Sequence, residues 1–89
     1  ISGNLIRILP VGISASINRD SWKPQPIFDL LQKVGRLCDE DMFTVFNMGI
    51  GLALVCDPGD ADDLIRDVPT ANIIGELIRN DGEPTVVIP

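Results

Sequence analysis

Eighty-nine residues, 45% of them apolar, carry a formal charge of −6 and include no histidine. Such a length makes one domain, and a chain this short buries only about 60–65% of its unfolded surface, so it is marginal alone. The acidic balance, with no dense run of Lys or Arg, argues against nucleic acid and anionic membrane surfaces as partners.

Taken in chain order, Ser2-Gly3-Asn4 opens a helix. Leu5, Ile8 and Leu9 share one face of it, and Pro10 with Gly12 ends it. Gly12 to Ile17 predicts a short strand with Ile13, Ala15 and Ile17 on one side. Asn18-Arg19-Asp20 makes a turn, and Trp22 to Pro26 forms a stiff extended connector. Pro26 suits the first position of a helix, where its missing N–H costs nothing. That helix repeats Ile27, Phe28, Leu30, Leu31 and Val34 along one face and ends at Gly35. Asp39 is expected to cap the next helix, with Glu40 and Asp41 favouring its dipole. Met42, Phe43, Val45 and Phe46 give it a broad apolar face, and Asn47 ends it.

Met48 to Cys56 follows as a central strand, apolar on both faces and so expected to be covered on both. Asp57-Pro58-Gly59-Asp60 starts a helix that runs to about Asp67. Ala71 to Arg79 predicts a strand interrupted by Gly75, Asn80-Asp81-Gly82 a turn, and Thr85 to Ile88 a last strand. The expected architecture is α+β, a mostly antiparallel four-stranded sheet with helices packed on one face. Standing alone, it would present a bare face or edge for a partner to cover.

Met48 to Cys56 has about half the length needed to span a bilayer, and no secretory signal is expected. Cys38 and Cys56 lie far apart and make no metal spacing, so they read as core thiols in a reducing cytosol, with a disulfide between them as the alternative. A chain that opens at Ile1, inside a structured element, reads as part of something longer or as a trimmed start.

No histidine means no Ser-His-Asp triad and no Cys-His pair, and no catalytic residue is assigned. Carboxylates such as Asp57, Asp60, Asp62 and Asp63 read as caps and solvated faces in preference to a metal site. Two places could hold a ligand. The helix opening at Ser2-Gly3-Asn4 offers free N–H groups to an anion, with Arg7 one turn in; an ordinary capped surface helix has the same sequence. Gly49 and Gly51, two apart on a strand, would lie on one face and leave it bare, against either a ligand or a packed helix. Asn47 at the corner before them either presents its amide to a ligand or caps the reversal.

Four motifs then stand in order: Asn4 to Pro10 (NLIRILP), Ser21 to Gly35 (SWKPQPIFDLLQKVG), Asp41 to Val55 (DMFTVFNMGIGLALV) and Ile73 to Ile78 (IIGELI). Together they resemble the carboxy-terminal domain of phosphoribosylformylglycinamidine cyclo-ligase, also called aminoimidazole ribonucleotide (AIR) synthetase. The resemblance spans nearly the whole chain. It implies that residues 1–89 are a single domain, the carboxy-terminal fragment of a longer two-domain synthetase. It implies ATP-dependent ring closure of formylglycinamidine ribonucleotide in purine biosynthesis, by way of a phosphorylated formyl oxygen. The fragment alone is expected to be inactive.

The resemblance further implies ATP and Mg2+, bound mainly by an amino-terminal domain, a nucleotide substrate, a homo-oligomer (a dimer in the family) and a cytoplasmic location. Asn4 and Arg7 would stand near the substrate phosphate, and Asn47, Gly49 and Gly51 would line the cleft. Ile6, where many members have Pro, and Leu52, in place of a common Met, depart from the pattern in packing positions. So does the stretch between Leu64 and Ile73, which is shorter than usual. Two other readings remain open: a sister synthetase of the same superfamily, or a free-standing association module without chemistry.

Overall fold

The computed structural model describes all 89 residues. A single helical turn, α1 (Ser2–Leu5), passes into a 3-10 turn at Ile6–Ile8. Strand β1 (Ile13–Ile17) follows, then a 3-10 turn at Arg19–Ser21. Helices α2 (Pro26–Gly35), α3 (Asp39–Val45) and α4 (Pro58–Asp67) come next. Strands β2 (Gly75–Arg79) and β3 (Val86–Val87) close the chain.

The fold is α+β, but its sheet has three strands in the order β2-β1-β3 and is mixed. β2 pairs antiparallel with β1 from Ile13 opposite Arg79 to Ile17 opposite Gly75. β3 runs parallel to β1, with Ala15 opposite Val86. This corrects the four-stranded, mostly antiparallel expectation in two places. Residues Asn80 to Pro84 do not close a hairpin. They wrap the start of β1, where Gly12, at φ +91°, donates to the Gly82 carbonyl and accepts from the Asn80 N–H. β3 is thereby carried to the far side of β1. The wrap is pinned by the buried Ser14 hydroxyl, which accepts from Asn80 Nδ2 and the Thr85 N–H and bonds the Thr85 hydroxyl.

The second correction concerns the expected central strand. Met48 belongs to a turn, and Gly51 to Cys56 runs free of helix, turn and bend, exposed at every residue. None of these six residues makes a backbone–backbone hydrogen bond. The apolar run is present, but no strand in this chain pairs with it. An edge without a partner forms no ladder, whatever its composition.

The core is small and sits between β1, α3 and the connector before α2. It comprises Leu9, Ala15, Ile17, Trp22, Met42, Phe43 and Met48. Trp22 meets Phe43 edge to face at 6.4 Å and donates its indole N–H to the Met48 carbonyl at 2.9 Å. Of the apolar face of α2, Phe28 packs inward, edge to face with Phe46 at 6.1 Å. Ile27, Leu30, Leu31 and Val34 remain exposed, and neither α2 nor α4 buries a residue. The left-handed residue that ends α2 is Arg36, at φ +53°, one position beyond the glycine expected to end it. Cys38, not Asp39, is the N-cap of α3. Both cysteines are free and exposed, which overturns their reading as core thiols.

Candidate functional site

Asn47 to Ile50 forms a tight turn whose residues do separate jobs. The Ile50 N–H donates to the Asn47 carbonyl at 2.9 Å. The two central residues, Met48 and Gly49, take φ of +54° and +91°. Two consecutive positive φ values mark a type I′ turn, and a non-glycine residue at the first costs strain. Two side chains hold it there. Asn47 Oδ1 accepts from the Gly49 N–H at 2.9 Å, an Asx turn, and the Trp22 indole fixes the Met48 carbonyl from the buried side. Gly49 is thus not a strand residue sharing a face with Gly51. Its glycine is needed for its φ, and a Cβ there would also displace the end of the Gln25 side chain.

Gly51 differs. A Cβ there would meet nothing within 4 Å, and its φ is not in the left-handed region. Nothing inside these 89 residues requires that glycine.

Past the turn lies an open apolar groove of about 370 Å³. Gly49 through Cys56 forms one wall and β2 with the stretch before it another. α4 turns Ala61, Leu64 and Ile65 to it, an i, i+3, i+4 set on one helix face, and Val68, just past the end of the helix, joins them. No lysine or arginine lines it; Glu76 is its one ionisable carboxylate.

Of the residues singled out by sequence, Gly49 and Gly51 line this groove, while Asn4, Arg7 and Asn47 do not. The first turn is nonetheless seated beside the Asn47 corner. The Ile1 amino group donates to the Phe43 and Phe46 carbonyls, each at 2.9 Å, and Ser2 Oγ reaches the Phe43 carbonyl at 3.3 Å. Leu5 reaches from α1 into the groove lining. Asn4 and Arg7 stand exposed on this turn, with neither side chain in a hydrogen bond or ion pair. Only four residues of α-helix form before the 3-10 turn, so the helix dipole expected at Ser2-Gly3-Asn4 is short.

Sequence reasoning passed over Arg19, which the structure makes a junction. Its guanidinium bonds Asp39 Oδ2 at 3.0 Å and the carbonyls of Pro89 at 2.7 Å and Ile88 at 3.4 Å, and lies 5.8 Å from the Phe43 ring centre. Read as a turn residue, it carried no signal of those distant partners. Asp39 also accepts from Gln32 Nε2 at 2.8 Å, and the Gln32 amide followed by Arg19 holds its carboxyl below the usual range. No group of three His, Cys, Asp or Glu side chains could hold a metal ion.

A short mixed sheet, a glycine turn held by a tryptophan and an open apolar groove along one side define a small α+β domain. The chain belongs to the family described as AIR synthase related protein, C-terminal domain, which matches residues 1–87. It is 49% identical to a phosphoribosylformylglycinamidine cyclo-ligase of Bacillus cereus (strain G9842) and 47% identical to those of Bacillus thuringiensis subsp. konkukian and Bacillus anthracis. Each match covers 89% of this chain and 24% of the relative. The chain thus spans about a quarter of the length of the curated relatives it matches.

Proposed function

We propose that this chain is the carboxy-terminal part of an ATP-dependent cyclo-ligase that closes the imidazole ring of aminoimidazole ribonucleotide in purine biosynthesis. The observation that carries this reading is the family match over residues 1–87, with relatives bearing the cyclo-ligase name at 47–49% identity. The built turn at Asn47–Ile50, opening onto the groove, supports it, because the most specific motif of the resemblance falls there.

In this reading Asn4 and Arg7 face the substrate phosphate, for which an unpaired guanidinium is suited. Asn47, Gly49 and Gly51 border the cleft, where Gly51 keeps the wall clear. ATP and Mg2+ are held mainly outside these 89 residues, and no step of the reaction is assigned to a group of this chain. The whole protein is a cytoplasmic homo-oligomer, and this part of it is inactive alone. No helix is long and apolar enough to cross a membrane.

The test is a chimaera in which this chain replaces the matching quarter of the Bacillus cereus relative, assayed for ATP-dependent formation of aminoimidazole ribonucleotide. Product formation is expected. A folded chimaera that makes none overturns the reading. ADP release measured over the substrates of the sister synthetases separates a related activity from this one.

A further inference from the structure

Asn80-Asp81-Gly82 carries a turn motif but closes no hairpin; it straps the start of β1. Asp81 and Gly82 lie exposed in a bend, outside helix and strand. The Gly82 N–H makes no hydrogen bond, and the Asp81 carboxylate makes neither hydrogen bond nor ion pair. The two groups needed to close a succinimide ring are therefore adjacent and free. Gly82 has no Cβ to crowd the attacking nitrogen, so the backbone can approach closely.

Every other aspartate is held back. Those of α2, α3 and α4 sit in helices, whose fixed dihedrals keep the next nitrogen away from the side chain. Asp57 precedes Pro58, which has no N–H. Asp20 precedes Ser21, whose N–H already donates to the Asn18 carbonyl at 3.1 Å. No asparagine precedes a glycine.

We propose that Asp81–Gly82 is a self-modification site, where the chain cyclises to a succinimide and reopens as isoaspartate, releasing β3 from β1. The Gly82 amide nitrogen attacks the carbon of the protonated Asp81 carboxyl. A C–N bond forms, the C–OH bond breaks, and the hydroxyl leaves with the amide proton as water. Water then adds to the main-chain carbonyl of the ring, and the ring C–N bond on that side breaks. Gly82 is left joined through the Asp81 side chain, with the α-carboxylate free. Mass and charge end unchanged, and water is the one reactant needed.

The new link adds one methylene to the main chain, about 1.5 Å. It enters between two groups that hold Gly12. The Asn80 N–H donates to the Gly12 carbonyl at 2.9 Å, and the Gly82 carbonyl accepts from the Gly12 N–H at 3.0 Å. A longer span between them cannot keep both bonds. β3 depends on that strap, because it pairs with β1 only from Ala15 opposite Val86 to Ser16 opposite Val87. Its seat begins at Thr85, whose carbonyl accepts from the Ala15 N–H at 2.9 Å and whose N–H donates to Ser14 Oγ at 3.1 Å. The proposal stands apart from the cyclo-ligase reading and does not need it.

The test is to age the purified chain in warm, mildly acid buffer. An isoaspartyl methyltransferase with labelled S-adenosylmethionine counts the isoaspartate, and electron-transfer fragmentation places it. Label is expected to accumulate at residue 81. Gly82→Ala crowds the nitrogen, yet its methyl group meets nothing within 4 Å in the fold. It should slow the accumulation at least about tenfold with an unchanged denaturant midpoint. Asp81→Glu, whose longer arm cyclises poorly, should abolish it. In the aged chain, separated by chromatography, the amides of Gly12, Ala15 and Thr85 should exchange at least about tenfold faster. Label no higher than in Asp81→Glu overturns the site, as does label placed chiefly at Asp20 or at an asparagine. An equal rate in Gly82→Ala overturns the part given to the bare glycine. Isoaspartate at residue 81 with unchanged exchange at those three amides overturns the release of β3.

Discussion

Gly49 and Gly51 look alike in the sequence and are unlike in the structure. Gly49 occupies φ +91°, so Gly49→Ala is strained in its backbone, while the end of the exposed Gln25 side chain beside it can move aside. We expect a loss of about 1–3 kcal/mol, read as a lower denaturant midpoint. Gly51 has open space and an ordinary backbone, so Gly51→Ala should leave the isolated chain as stable or up to about 1 kcal/mol more stable. In the chimaera the same alanine stands where the proposed cleft closes, and product formation should fall. Equal loss of stability for both variants in the isolated chain would contradict the division of roles. The spacing of two glycines was legible; their difference was not. It depends on Asn47 and Trp22, which turn the chain at Met48 before a strand can begin.

At the scale of elements, the helices were legible and the sheet was not. Pro26, Pro58 and the acidic first turns fix where α2, α3 and α4 begin, because those signals act within a few residues. Strand pairing is a long-range matter, and Ser14, Asn80 and Thr85 give no local hint that they will meet under the wrap. Gly75 is the element-scale counterpart. It was read as an interruption, yet it is the first residue of β2, and a Cβ there would run into the Ser16 carbonyl of β1. Gly75→Ala should part the two strands at that end and cost upwards of about 2 kcal/mol, seen as faster amide exchange through Ile13–Ile17. Unchanged exchange would show that the strands separate freely at Gly75.

At the scale of the whole molecule, Arg19 and Asp39 tie the turn after β1 to the start of α3, the end of α2 and the last residues of the chain. The remaining cover is thin, since α2 and α4 lean on so little of the core. A junction of this kind therefore matters more here than in a larger domain. Its pH dependence follows from Asp39, whose carboxyl is held low by Gln32 and then Arg19. The folded chain binds that proton less readily than the unfolded chain does. The contribution is full above the ordinary carboxylate pKa of about 3.9 and is lost as pH falls through the lower folded value. Asp39→Asn should accordingly be less stable than the natural chain at neutral pH, with the two converging in acid. Denaturant midpoints of both proteins across pH 2 to 7 give the comparison. A constant gap down to the acid end would mean that the junction works through Asp39's shape and neutral hydrogen bonds, because a charge-dependent tie must vanish once the carboxylate is protonated in both states.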